Sequence, residues 1–143
     1  MVSATVAPTQ AALECLRDQF ALTGAKLGCG EGECGACAIL LDGQAALGCL
    51  TPAADLDGRE VRTVEGLRDG PALGRIQAAL VHEGAVQCGF CTPGMAVAAA
   101  ALLAEHPAPT VEQIRRGLEG NLCRCTGYVA IVQAVQTAAE PTP

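Results

Sequence analysis

Short apolar runs broken by glycine-rich turns fill the first 64 residues, and a helical periodicity replaces them afterwards. Ala38 to Leu41 and Ala45 to Leu50 are apolar runs on either side of Asp42-Gly43, a pair that favours the tight turn of a β-hairpin. Arg59 to Val64 alternates and predicts a further strand. One helix interrupts this half: Leu13, Leu16 and Phe20 recur every three or four residues, and Thr9 stands where a capping side chain is expected. Beyond Glu65 the spacing predicts helices over 72–82, 93–105, 111–120 and 128–139. Thr92 before Pro93, and the T-x-x-Q box of Thr110 and Gln113, mark two of their starts. The polar stretch "EGLRDGPALG" reads as a joint, dividing the chain into units of 1–68 and 69–143. Four short helices make the second unit a bundle, in which the run Ala96 to Ala101 suits close packing, followed by a frayed "EPTP" tail.

Composition narrows the function classes. The chain has 143 residues, is half apolar and has 2% aromatic residues, so its core must be built from Ala, Leu, Val and Ile. Two units of roughly 70 residues bury little surface each, and such units usually gain support from metals, disulfides or a partner. A net charge of -6 with no Lys/Arg cluster argues against nucleic acid. No apolar stretch reaches the length of a membrane span, and the opening residues do not form a secretory signal. A cytoplasmic, reducing setting is therefore expected, in which nine cysteines point to metal binding rather than to a disulfide framework.

The cysteines fall into two sets. Cys29, Cys34 and Cys37 follow a C-x4-C-x2-C spacing within "GCGEGECGACAILL", with Cys49 beyond the hairpin, which is the spacing of a plant-type [2Fe-2S] ferredoxin loop. The four glycines of that loop permit the backbone to turn its N–H groups toward anionic sulfur. A zinc loop would also use four thiolates, although zinc sites more often draw on two separated knuckles. Cys88 and Cys91 in "QCGFCTPG", and Cys123 and Cys125 in "NLCRCTGY", each precede a predicted helix, where free N–H groups and the helix dipole favour anions. Taken alone this second set fits zinc nearly as well as iron. Its position beside a ferredoxin-type loop favours a second iron-sulfur site.

These stretches, "LTGAKLGCGEGECGACAILLDG", "QCGFCTPGM" and "GNLCRCTGY", resemble the motifs of the small iron-sulfur subunit of the xanthine oxidase family of molybdenum hydroxylases, over about residues 2–135. The resemblance implies an α+β chain: an N-terminal β-grasp, ferredoxin-like [2Fe-2S] domain followed by a four-helix [2Fe-2S]-binding domain. It implies Cys29, Cys34, Cys37 and Cys49 as ligands of one cluster, and Cys88, Cys91, Cys123 and Cys125 as ligands of a second, nearer to molybdenum. Gln87 and Cys125 correspond to the residues that approach the pterin. The implied partner is a large molybdopterin-binding subunit, with an FAD subunit or a cytochrome as electron acceptor. One departure is visible: the chain opens inside what would be the second strand, "VSATVAP", so the sheet is expected without its first edge strand. Either the start lies upstream, or a partner covers that edge.

The function expected is electron transfer within a multisubunit molybdenum hydroxylase, with a free-standing ferredoxin carrier as the alternative. No nucleophile-base arrangement, dinucleotide fingerprint or molybdenum ligand is recognisable, so no substrate centre is expected in this chain. Cys15, between Leu13 and Leu16, reads as a small buried hydrophobe. His82 and His106 lie near predicted helix C-termini, where an imidazole meets free carbonyls. Arg124, between two of the cysteines, suits either a partner contact or an exposed structural role. The helical set is expected to be the more buried, with Gln87, Asn121 and Arg124 available to a polar cofactor edge. The ferredoxin loop with Glu31 and Glu33 is expected to be the more accessible.

Overall fold

The structure, a computed structural model, describes residues 1–69 and 73–140. The joint expected around residue 70 therefore falls partly outside the described residues, as do Ala72 and the last three residues of the tail.

Strands β1 (Ala38–Leu41) and β2 (Gln44–Leu47) form the expected hairpin, with Leu41 opposite Gln44 and Ala38 opposite Leu47. Asp42 and Gly43 both take left-handed φ angles, 51° and 83°, as a two-residue turn of this hand requires. Strand β3 (Val61–Arg62) pairs with the other edge of β1, giving the order β2-β1-β3. It is shorter than the alternation from Arg59 to Val64 suggested, because the chain winds into a 3-10 turn over Val64–Asp69. β2 also stops early, at Leu47. The amides of Leu50 and Thr51 both turn back onto the Leu47 carbonyl, ending the extended run before Cys49.

The opening "VSATVAP" is not a strand, and only an isolated bridge, Ala11 to Pro52, follows it. The expected first helix is a single turn, α1 (Ala12–Glu14), continued by a π-helical segment over Cys15–Gln19. Thr9 does not cap it. The Ala11 N–H instead donates to the Glu14 carboxylate at 3.3 Å, and the amides of Ala12 and Leu13 are taken by the carbonyls of Thr51 and Gly48. These long-range partners replace a local cap, which is why the sequence around Thr9 misleads. Leu13 and Leu16 are buried as the spacing required, and Phe20 packs against them.

In the second half lie α2 (Leu73–His82), α3 (Thr92–Glu105), α4 (Val111–Gly117) and α5 (Val129–Ala139). The box at α4 is present: Gln113 N–H donates to Thr110 Oγ1, and Thr110 N–H to Gln113 Oε1. Helix α3 is apolar on all sides, because it is the central element. Residues Gly94 to Ala100 are all buried, between β1 on one side and α2 and α4 on others.

β1 joins the two halves. Its Ala38 and Leu40 enter the core formed by the helices, whereas Ile39, with the preceding Cys37, faces the smaller core under α1. The strand is buried on both faces, as its uninterrupted apolar run implies. The contact between halves is tightest where the first turn of α3 meets the end of the ferredoxin-type loop. A Cβ on Gly94 would lie 2.2 Å from the Gly35 carbonyl oxygen. Gly35 itself has a φ of 66°, and a Cβ there would lie 2.3 Å from the Gly120 carbonyl oxygen. Three backbone segments thus cross with no side chain between them.

Candidate metal centres

The hairpin register carries Cys49 to Cys37. Gly48 N–H donates to the Cys37 carbonyl at 3.2 Å, and the turn that ends β2 brings the two Sγ atoms within 3.3 Å. Cys37 is buried and Cys49 half-buried. At the other end of the loop, Cys29 N–H donates to Cys34 Sγ and Glu31 N–H to Cys29 Sγ, both at 3.4 Å. Gly30, Gly32 and Gly35 have positive φ, which lets the loop aim these amides inward. The amides of Glu31, Cys34 and Glu33 hold the exposed Cys29 thiol down to about 6, whereas burial pushes Cys37 up to about 11.

The second set gathers at two helix starts. Cys91 is the N-cap of α3, and Cys123 and Cys125 lie in the loop before α5, whose N-cap Tyr128 has a left-handed φ of 69°. Cys91 lies beside Cys123 and Cys88 beside Cys125, with Cys88 also close enough to Cys91 to act on its charge. Burial, reinforced by Cys123 and Cys88, drives the Cys91 thiol up to about 12. Burial opposes ionisation of Cys123 as well, but the Thr126 hydroxyl and amide outweigh it and pull that thiol down to about 7. The neighbouring Cys88 thiol raises Cys125. In the second set Cys88 and Cys123 each act on both Cys91 and Cys125, so its four thiols lie together.

The relative exposure of the two sets departs from expectation. Cys88 and Cys125 are exposed, with Gln87 beside them, so the helical set is no more buried than the loop set, where Cys29 alone is exposed. Each set has an outward side and an inward side: Cys91 and Cys123 are half-buried, like Cys34 and Cys49. Asn121 is not available to an external cofactor. It is 7% exposed and its Nδ2 donates to the Gly35 carbonyl at 3.1 Å, fastening the second cysteine loop to the first. Next to it, Leu122 N–H donates to the Cys34 carbonyl at 2.9 Å. Arg124 is exposed. Two residues of "NLCRCTGY" that the spacing did not single out also contact the set. Thr126 Oγ1 donates to Cys123 Sγ at 3.1 Å, and Cys123 N–H donates to the Tyr128 phenol oxygen at 2.8 Å. Thr126 three residues after a cysteine was the available signal, since short hydroxyl side chains bond locally.

Cys15 lies apart from both sets, 3% exposed in the π-helical segment, and burial raises its thiol. A Cys15→Ser chain is expected to keep its full iron content while losing about 1 kcal/mol of stability, through a hydroxyl buried in an apolar core. Iron analysis beside urea denaturation checks both parts, and loss of iron would mark Cys15 as a ligand.

The profile of the [2Fe-2S] binding domain family matches residues 63–136. The nicotine 6-hydroxylase small subunit of Paenarthrobacter nicotinovorans is 55% identical, over 86% of this chain and 74% of that one. The xanthine dehydrogenase iron-sulfur-binding subunit of Escherichia coli O157:H7 is 54% identical, over 85% and 77%. Among solved structures, quinoline 2-oxidoreductase from Pseudomonas putida 86 superposes with a TM-score of 0.87 and 44% identity, covering 94% of this chain and 84% of the matched chain. Mixed helix and sheet, the cysteine motifs and these relatives agree: the chain belongs to the small [2Fe-2S] iron-sulfur subunits of the xanthine oxidase family of molybdenum hydroxylases, the electron-transfer subunits of these oxidoreductases.

Proposed function

We propose that the chain holds two [2Fe-2S] clusters and relays electrons from a molybdopterin centre in a separate large subunit to a further acceptor, an FAD subunit or a cytochrome. Cys29 with Cys34, and Cys37 with Cys49, would hold the two irons of one cluster. Cys88 with Cys125, and Cys91 with Cys123, would hold those of the other. The observation that carries this reading is that the fold gathers the eight cysteines into two sets of four, with Cys37 Sγ 3.3 Å from Cys49 Sγ in the first and Cys88, Cys91, Cys123 and Cys125 close enough to act on one another in the second. Four thiolates per set suit one [2Fe-2S] cluster each, and the C-x4-C-x2-C loop spacing favours iron over zinc. When bound, such clusters supply one-electron redox chemistry.

The residues present suit that load. Loop amides of Cys29 and Glu31 face sulfur in the first set, and the N-termini of α3 and α5 stand at the second, so both favour negative charge. A single hydrogen bond, Leu122 N–H to Cys34 carbonyl, links the residue before Cys123 to a ligand of the other set. It offers a short covalent and hydrogen-bonded route between them. On the outward side of the helical set, exposed Gln87 and Cys125 are the groups we assign to the edge of the pterin. Leu27, Leu50, Phe90 and Leu122 are large apolar residues left exposed within two positions of a proposed ligand, as an uncovered partner surface requires.

The finer fold assignment belongs to the same reading: residues 1–68 as a ferredoxin-like β-grasp domain without its first strand and with no strand over "VSATVAP", and 69–143 as a four-helix [2Fe-2S]-binding domain. Because β1 lies in both cores, the two domains are expected to unfold together. No helix of the described residues is long and apolar enough to cross a membrane. We assign the complex to the cytoplasm, where reduced thiols remain available for iron. A free-standing ferredoxin carrier is less favoured, since one exposed cluster would serve it and the relatives are subunits.

Metal and sulfide analysis of the chain as isolated tests this reading. About four irons and four acid-labile sulfides per chain are expected, and zinc, or two irons only, would overturn it. A pH effect goes with the ligand roles. Cys37 and Cys91 are held protonated at neutral pH and must ionise to bind iron. Their raised values favour the neutral thiol throughout the range from pH 7 to 9, so iron uptake should release protons. Affinity should rise with pH by about tenfold per unit for each of the two thiols. Calorimetric iron titration in buffers of differing protonation enthalpy measures this, and uptake without proton release would exclude both thiols.

A further inference from the structure

Among the described residues one hydroxyl donates to a cysteine sulfur: Thr126 Oγ1 to Cys123 Sγ, at 3.1 Å, with the Thr126 amide at 3.5 Å from the same sulfur. The same oxygen accepts from the Tyr128 N–H at 3.3 Å, and the Tyr128 phenol oxygen accepts from the Cys123 N–H at 2.8 Å. Cys123, Thr126 and Tyr128 therefore close a ring of hydrogen bonds. Tyr128 is held in the left-handed region, at a φ of 69°, a conformation unfavourable for an aromatic residue. Thr126 is half-buried, as is Cys123, so water competes weakly for the hydroxyl. In the loop set no hydroxyl is among the donors to Cys29 and Cys34 sulfur, which include the backbone N–H groups of Glu31 and Cys29.

We propose that Thr126 is a potential-setting residue: its hydroxyl, aimed by Tyr128, raises the reduction potential of the cluster held by Cys88, Cys91, Cys123 and Cys125 without affecting the other. This rests on the two-cluster reading above. The electron gained on reduction adds negative charge that the thiolate sulfurs share. A donor already pointing at Cys123 Sγ stabilises the reduced form more than the oxidised one, and hydrogen bonds to sulfur are among the factors that set such potentials. The ring fixes the direction of donation. The Thr126 oxygen receives its own bond from Tyr128, which leaves its proton for sulfur. Thr126 touches no substrate and acts through Cys123, so it is a positioning residue.

The test is a redox titration of the full iron-loaded chain, followed by electron paramagnetic resonance, for Thr126→Ser, Thr126→Ala and Thr126→Val. Iron is counted in each. Thr126→Ser keeps the hydroxyl, and both clusters should titrate as in the unsubstituted chain. Thr126→Ala and Thr126→Val should make one cluster about tenfold harder to reduce, 59 mV for a one-electron couple, and leave the other unmoved. Unchanged potentials with four irons retained would overturn the proposal. So would loss of that cluster in both Thr126→Ala and Thr126→Val, because Thr126 would then be part of the scaffold. Zinc or two irons in the unsubstituted chain would instead defeat the two-cluster reading, before any variant is compared.

Discussion

A Gly94→Ala chain is expected to lose about 3 kcal/mol or more of stability and to disturb both cysteine sets at once. The added methyl would lie 2.2 Å from the Gly35 carbonyl oxygen and 3.1 Å from the Ala36 Cα, and both neighbours are backbone. Overpacking a core costs typically about 1–3 kcal/mol even when side chains can give way. Here α3 or the loop must move instead. Gly35 has little room to yield, since its carbonyl already accepts from the Asn121 amide and a Cβ on it would lie 2.3 Å from the Gly120 carbonyl oxygen. The disturbance therefore passes from the start of α3, which carries Cys91, to the loop that carries Cys34 and to the segment that carries Cys123. Against a typical stability of about 5–15 kcal/mol, the loss is a large fraction of the whole. Urea denaturation measures it, and Gly120→Ala is the control, because a Cβ there meets nothing within 4 Å. Equal midpoints for the two variants would show that the crossing of α3 and the loop is not tight in solution.

Cys37→Ala and Cys91→Ala should each abolish one cluster and spare the other. Both residues are the inward members of their sets, Cys37 buried against the core under α1 and Cys91 packed on the helical core. Removing either leaves its partner sulfur, Cys49 or Cys123, without the second thiolate of its pair. No spare ligand is at hand, since Cys15 is buried elsewhere. Iron should fall from about four to about two per chain, with one paramagnetic signal lost and the other kept. Different signals should vanish in the two variants. Loss of the same signal in both would show that the eight cysteines are divided wrongly, and retention of all iron would remove the substituted residue from the ligand set.

Part of this chain was legible before any coordinates. The hairpin of β1 and β2 follows from Asp42-Gly43 between apolar runs, and the box of Thr110 and Gln113 marks α4, because turns and caps depend on neighbours a few residues away. The grouping of cysteines by spacing is equally local, and so is their place ahead of α3 and α5. What the sequence left open depends on residues far apart in the chain. Local pattern pointed to a cap at Thr9 and the family resemblance to a strand in "VSATVAP", but carbonyls of Thr51 and Gly48 take the amides that begin α1 and the opening residues join no sheet. Asn121 read as a group for an outside cofactor, and the fold spends its amide on Gly35, 86 residues away. Which thiols meet was also a tertiary matter: hairpin register brings Cys49 to Cys37, and two helix starts bring Cys123 to Cys91. Spacing along a chain states how far apart residues can lie. Only the packing of β1 and α3, with glycine wherever backbones cross, decides which of them touch.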